Sequence, residues 1–307
     1  MSISAAAPPP SPRRRLRSGQ VSRLLVVDCD GGAMRTVIET PRLIEAPNWT
    51  PDGRLMIVNG EGALFGVAAD GSGGLERIDT GIARDLNNDH VLSADGRTIY
   101  LSSDDGHLYA MALAGGAARR VSNEHPPVRR FRYYLHGVSP DERTLAYVGV
   151  EAASAEAGVS SLKNVFTIPA AGGPDRQLTF GAAPHDGPEF SPDGAWLYFN
   201  AAPDAATPEH RLWRMRPDGG GRECIFADAR SNWFPHLSPD GRLMCWLSYP
   251  PGTSGHPPDR DVILRVMPVG GGAVRDVAAF NGGQGTINVN SWAPDGRRFA
   301  CVAYPPG

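Results

Sequence analysis

The chain has 307 residues, 41% of them hydrophobic, and a formal charge of −3, enough for a sizeable buried core and no polyanion-binding surplus of cations. Arginine outnumbers lysine 29 to one, Lys163 being the single lysine, yet acidic residues exceed both together, so neither nucleic acid nor an anionic membrane is an expected partner. No apolar run approaches the roughly 20 residues that cross a bilayer, and the four cysteines, Cys29, Cys224, Cys245 and Cys301, lie in or beside apolar strands without CxxC spacing, as reduced thiols do.

Residues 1–19 begin "MSISAAAPPPSPRRRLRS", a Pro-, Ala- and Arg-rich stretch with no apolar segment between the arginines and a cleavage site. It reads as a disordered leader rather than a secretory signal, which makes the cytoplasm the expected compartment. Residues 20–307 read as one domain.

From there a tetrad recurs six times: "TPDG" at Thr50, "SADG" at Ser93, "SPDE" at Ser139, "SPDG" at Ser191 and Ser238, and "APDG" at Ala293. The starts lie 43, 46, 52, 47 and 55 residues apart, a period that suits four short strands and their connections. Proline presets φ for a type I turn and Asp-Gly completes it, so each tetrad joins two antiparallel strands. Alternating runs follow, such as "RLMIVN", "AWLYFNA" and "RLMCWLSY", and after them second ribbons such as "GALFGVAAD" and "HRLWRMRPDGG" that turn at glycine. Each unit is an expected four-stranded antiparallel blade.

The ends settle the count. The chain opens on an outer pair, "SRLLVVDCDGGAMRTVIE", with no tetrad before it, and stops after an inner pair, "SWAPDGRRFACVAY". Pairing these half-blades closes an all-β, six-bladed β-propeller with no free sheet edge.

In such a blade the strand entering the tetrad is innermost, and four of the eight histidines fall in these short windows: His90, His136, His185 and His236. The windows also hold Asn48, Asn88, Asp89, Asp186, Glu189, Asn232, Asn288 and Asn290. Polar groups gathered on adjacent inner strands need water, an ion or a polar ligand as partner, so an axial pocket is expected. Three imidazoles and a carboxylate or amide can hold a divalent transition metal such as Mn, Fe, Ni or Zn; the same groups can instead hydrogen-bond a sugar, or merely solvate a pore. Gln284, in the glycine-rich "GGQGTINVN", is a further candidate contact, and Arg84, Arg132 and Arg230 could meet an anionic sugar. The insertion "PPGTSGHPPDRD" at 250–261 reads as a rim hairpin, and His107 and His210 as structural.

The repeated aromatic-S-P-D-G-R module resembles the WD-repeat-like propeller of the TolB family, seen also in prolyl oligopeptidase relatives and in oligogalacturonate lyase. Such propellers host unrelated activities. The peptidases carry a G-x-S-x-G nucleophile elbow; the chain has none, which excludes a serine peptidase. TolB resembles a two-domain periplasmic protein, and its N-terminal α/β domain finds no match here. Resemblance to the lyase implies a metal bound by His90, His136 and His236, with His185 or Glu189 as catalytic base. Three readings stay open: a cytoplasmic propeller binding a small polar ligand such as a carbohydrate through Asn48, Asn88, Asn232, Gln284, Asn288, Asn290, Arg132 and Arg230; a metal-dependent oligosaccharide lyase or hydrolase; and a protein-interaction scaffold.

Overall fold

The computed structural model describes residues 13–153 and 159–306. Five four-stranded antiparallel sheets follow one another along the chain, each running in sequence order from its innermost strand outwards. Blade 1 starts with Glu45–Trp49, blade 2 with Leu86–Leu92, blade 3 with Arg132–Val138, blade 4 with His185–Phe190 and blade 5 with Ser231–Leu237. Blade 6 combines the first two strands, Ser22–Asp28 and Met34–Thr40, with the last, Arg298–Ala303. The register of that closure runs from Arg23 opposite Ala303 to Asp28 opposite Arg298. The ring therefore closes as the half-blades require, and backbone groups that would form an open edge are paired.

Each tetrad does the work its residues allow. In five of them the first hydroxyl donates to the aspartate two residues on, as Ser191 Oγ does to Asp193 Oδ1 at 2.6 Å, and accepts the N–H five residues on, Trp196 N at 2.9 Å. The fourth residue is left-handed throughout: the glycines have φ of 64° to 72°, and Glu142 in "SPDE" is held at 59°.

Between blades, apolar side chains interdigitate. Trp233, Phe234, Leu247 and Val262 of blade 5 share one cluster with Leu25, Val27, Phe299 and Cys301 of blade 6. Full burial of side chains of this size contributes ~1.5–3 kcal/mol each, so the ring is held by its interblade layers as well as by its ladders.

Two features depart from the plain pattern. The innermost strand of blade 6 shrinks to a single bridge, Trp292 to Phe299. Backbone donors in it and in the chain leading to it are satisfied locally instead: Gly283 N by Thr286 Oγ1, Gly285 N by Asn288 Oδ1 and Trp292 N by Asn290 Oδ1, the competition that short polar side chains offer a ladder. The second is a register shift in the innermost strand of every one of blades 1 to 5. Such a bulge re-aims the side chains around it.

Candidate functional site: a polar cavity on the axis

The bulges decide what faces the axis. The residues five places before the tetrads of blades 2, 3, 4 and 6 are Asn88, Tyr134, Asp186 and Asn288, and all four line one cavity of about 270 Å³. The bulge adds Asp89 from blade 2, His136 from blade 3 and Phe234 from blade 5. Phe234 holds a left-handed φ of 57°, ahead of Pro235, which costs a non-glycine residue about 1–2 kcal/mol. Its ring is thereby set against His136, centroids 5.8 Å apart and nearly parallel. Two long hairpins frame the mouth: that of blade 3 supplies Val148, Val150 and Lys163, and the 250–257 connection of blade 5 supplies His256.

His136 is the hub. Its Nδ1 donates to the Asn288 carbonyl at 3.1 Å and its Nε2 faces Asp186 Oδ1 at 3.2 Å. Burial alone would lower its pKa, but the Asp89 and Asp186 carboxylates more than reverse that and raise it to about 9. Burial would raise Asp186; the His136 hydrogen bond and charge outweigh it and hold that carboxyl well below the usual range. Asp89 is different. Burial lifts its pKa to about 7 against the pull of His136, and its Oδ1 has no hydrogen-bond partner among the described residues.

A relay of amides completes the wall. Gln284 Nε2 donates to Asn88 Oδ1 at 3.2 Å, Asn288 Nδ2 to Gln284 Oε1 at 3.2 Å, and His256 Nδ1 meets the same Gln284 oxygen. His256 Nε2 lies 3.8 Å from Asp186 Oδ2; burial pushes this imidazole below its ordinary range, and Asp186 draws it part of the way back. Lys163 makes no ion pair among the described residues, so a cation stands at the cavity beside the Asp186–His136 pair.

Asn48, Glu189, His236 and Asn290, two or three places before their tetrads, do something else. His236 Nδ1 bonds Glu189 Oε2 and its Nε2 bonds the Ile287 carbonyl, both at 2.6 Å. Glu189 Oε1 also takes Leu237 N at 2.9 Å and Asn290 Nδ2 at 2.8 Å. Asn48 Nδ2 donates to the Asn290 carbonyl at 2.6 Å and its oxygen accepts Leu92 N at 3.2 Å. These are stitches between blades.

The remaining candidates are placed elsewhere. Asn232 bonds Asp228, Trp246 and Ser248 within its own blade. Arg132 donates to the Asp104 carbonyl and Arg230 to Ser248, while Arg84 lies at the surface. His90 is buried with Nε2 3.4 Å from the Ile57 carbonyl. His185 is buried against Phe199, and neither ring nitrogen has a partner among the described residues. His210 stacks on Trp233 at 3.8 Å.

The expected metal triad therefore needs correction. Of His90, His136 and His236 only His136 reaches the cavity, and His236 has both nitrogens committed to protein oxygens. Among the described residues no three His, Cys, Asp or Glu side chains are grouped as a metal site. Lys163 and His256, ionisable residues the sequence reading did not select, line the cavity instead, delivered by the lengths of their hairpins. Residues 13–19, read as part of a disordered leader, pack against the ring; residues 1–12 lie outside the described residues.

An all-β ring of six blades enclosing a small polar cavity at one end of its axis defines a six-bladed β-propeller. No family model matches the chain. It is 37% identical over 278 residues to an uncharacterized protein of Agrobacterium fabrum (strain C58), Atu1656, covering 89% of each. A solved structure from Agrobacterium tumefaciens described as a candidate TolB superimposes with a TM-score of 0.83 at 35% identity, over 94% of this chain and 99% of that one. TolB from Acinetobacter baumannii gives 0.58 at 17% identity (84% of this chain, 65% of that), and oligogalacturonate lyase in complex with manganese 0.56 at 15% (87% and 75%). At those last two identities the likeness is one of fold. The chain belongs to the TolB-like six-bladed propeller family. No helix among the described residues is long and apolar enough to cross a membrane.

Proposed function

We propose that the propeller binds a small hydroxylated anion, a sugar acid of about monosaccharide size, in the axial cavity. The observation that carries this reading is Asp89 Oδ1, a buried acceptor on the cavity wall without a partner among the described residues. Leaving such a group unpaired costs about 1–3 kcal/mol, which a ligand hydroxyl donating to it would recover. Asn88, Asn288 and Gln284 supply paired donors and acceptors beside it, Tyr134 and Phe234 supply faces for the C–H surface of a sugar ring, and Lys163 supplies the countercharge for a carboxylate. Lys163 takes the part first expected of Arg84, Arg132 or Arg230. The volume sits just under the ~300 Å³ at which pockets for drug-sized ligands begin.

The fold neighbour that holds manganese brings a second reading, metal-dependent cleavage of an oligosaccharide. The residues here do not fit it: His136 already spends both ring nitrogens on Asn288 and Asp186, and no grouped third ligand stands beside it among the described residues. Binding without a metal is the reading the side chains support.

Calorimetric titration with a panel of aldoses and the corresponding uronic acids tests it. Saturable binding that prefers the acids and is lost in Asp89→Ala and weakened in Lys163→Met is the expected result; no binding across the panel, or binding that requires added manganese, overturns it.

A further inference from the structure

Residues 13–20 lie across the ring, Arg13 at Asp85 and Asp104 beside blade 2 and Arg14 to Gln20 at the junction of blades 1, 5 and 6, next to the cavity wall. The side chain of Arg14 is only 12% exposed. Its guanidinium sits 3.8 Å from the centre of the Tyr304 ring, donates from Nη1 to Glu45 Oε1 at 3.1 Å and to the Gln284 carbonyl, and places Nη2 3.5 Å from Asp259 Oδ1. The two carboxylate side chains are 10% and 8% exposed. An aromatic face, two buried carboxylates and a carbonyl form a receptor matched to a planar cation.

Each part of the receptor belongs to the ring, not to the arm. Glu45 occupies, in blade 1, the place that Asn88, Tyr134, Asp186 and Asn288 occupy around the cavity, five residues before the tetrad. Asp259 is held at a left-handed φ of 56° in the long hairpin of blade 5. Burial pushes the Glu45 carboxyl up, and Arg14 beside it, with the Asn88 side chain a lesser partner, pulls it back; a cation at this position is what most favours the charged form. The arm adds weaker holds: Arg17 with Asp259 at 3.2 Å, Gln20 Nε2 with Asp259 at 2.8 Å, and Leu16 packed on the blade 1 and 6 core.

We propose that this end of the ring carries a guanidinium-binding site, separate from the cavity and sharing Gln284 with it, that Arg14 fills in cis and that an external guanidinium competes for. The tether gives Arg14 the advantage of an intramolecular partner, so a free probe must be present in excess. Occupancy by a ligand's own arginine would lift the arm away from the cavity wall while keeping Glu45 paired.

Chymotrypsin cuts after Leu16, and cleavage that depends on transient release of the arm tracks the open population. In the full chain, excess N-acetylarginine amide should speed the appearance of the fragment starting at Arg17 by about threefold or more, and N-acetyllysine amide at equal ionic strength should not. Arg14→Ala should bind N-acetylarginine amide saturably by calorimetry, and Arg14→Ala with Glu45→Gln should not. Equal acceleration by both amides, no acceleration, or probe binding indifferent to Glu45 would overturn the proposal; circular dichroism of each variant confirms that the ring is folded. Sugar-acid binding is read separately, so either idea can fail alone.

Discussion

His136 Nε2 lies 3.2 Å from Asp186 Oδ1 at the bottom of a cavity whose other carboxyl, Asp89, also faces that imidazole. The ring thus keeps a positive charge buried between two acids. Because the folded pKa of His136, about 9, stands above the unfolded value near 6.5, its stabilisation is fully present below pH 6.5 and disappears as pH rises through 9. That is on the order of 3 kcal/mol. Asp89 acts in a lower window: a carboxyl raised to about 7 keeps its proton in the folded ring, and that contribution is lost as pH rises from about 4 to 7, before the His136 limb is complete. The melting temperature should therefore fall between pH 6.5 and 9.5, and His136→Gln should flatten that limb. A wild-type profile level across the range would remove the buried imidazolium.

Breaking the pair from the other side gives a second reading of the same charge. Asp186→Asn removes the main hydrogen-bonding anion and leaves a buried cation under-compensated, a change that costs about 3–5 kcal/mol when one partner of a buried pair is lost. The His136 ring protons, followed by NMR, should titrate at lower pH in Asp186→Asn than in the wild type. An unchanged midpoint would show that Asp89 alone sets the charge.

His236 and Glu189 form a latch between blades 4 and 5, fastened to blade 6 through Ile287 and Asn290. His236→Ala should lower stability by about 2–4 kcal/mol through the unpaired Glu189 Oε2 and leave sugar-acid affinity and metal content as they were, whereas His136→Ala should abolish that affinity. Loss of a bound metal in His236→Ala, measured by mass spectrometry of the purified protein, would restore the metal reading.

The blade count, the turn chemistry and the closure were legible because six tetrads and two unmatched half-blades are written in the primary sequence. The location of the pocket was legible too, as polar residues crowd the windows before the tetrads. Which of those residues face the pocket was not. A strand alternates with a period of two, and a one-residue bulge flips every side chain beyond it; the bulges carry no mark stronger than the Pro in "EAPNW", "HDGPEF" and "NWFPHL". They turn His236, Glu189 and Asn48 into interblade stitches and leave Asn88 and Asp186 on the cavity. Lys163 and His256 escaped notice for another reason: they belong to hairpins remote in sequence from the axis, and only the folded length of those hairpins carries them over it.

Three histidines away from the cavity set the acid limb. Burial lowers His90 and His185 to about 4 and His210 to about 3, with Arg222 the next contributor at His185. Their folded values lie below the unfolded one, so the unfolded chain binds more protons from pH 6.5 down to 4 and stability falls as pH falls. Each contributes roughly 1.4 kcal/mol per pH unit within that window. Denaturant unfolding at pH 7, 6 and 5 should show a net decline, the three histidines outweighing the opposing Asp89 carboxyl, and His185→Phe, which fills the same apolar site beside Phe199, should reduce the slope by about one proton. A slope unaltered by that substitution would mean His185 charges in the native ring.

Two left-handed backbone positions should respond to substitution with opposite sign. Glu142 occupies, at φ 59°, the place that glycine holds in the other tetrads, and its side chain reaches only the exposed Asp95 N at 3.3 Å. Glu142→Gly removes a left-handed strain of about 1–2 kcal/mol and returns roughly half of it as added freedom of the unfolded chain, so a net gain of about 0.5–1 kcal/mol is expected. Gly187 lies at φ 60° in the bulge of blade 4, immediately after Asp186, and donates its N–H to Asp186 Oδ1 at 2.8 Å. A Cβ there would stand 3.0 Å from Asn200 Oδ1 and 3.1 Å from the Phe234 ring. Gly187→Ala should therefore cost about 2–3 kcal/mol in chemical denaturation and also weaken sugar-acid binding, since relieving the contact with the Phe234 ring and backbone moves Asp186 or Phe234, both of which line the cavity. Equal stability of Gly187→Ala and the wild type would mean that the bulge is free to relax and does not fix the cavity wall.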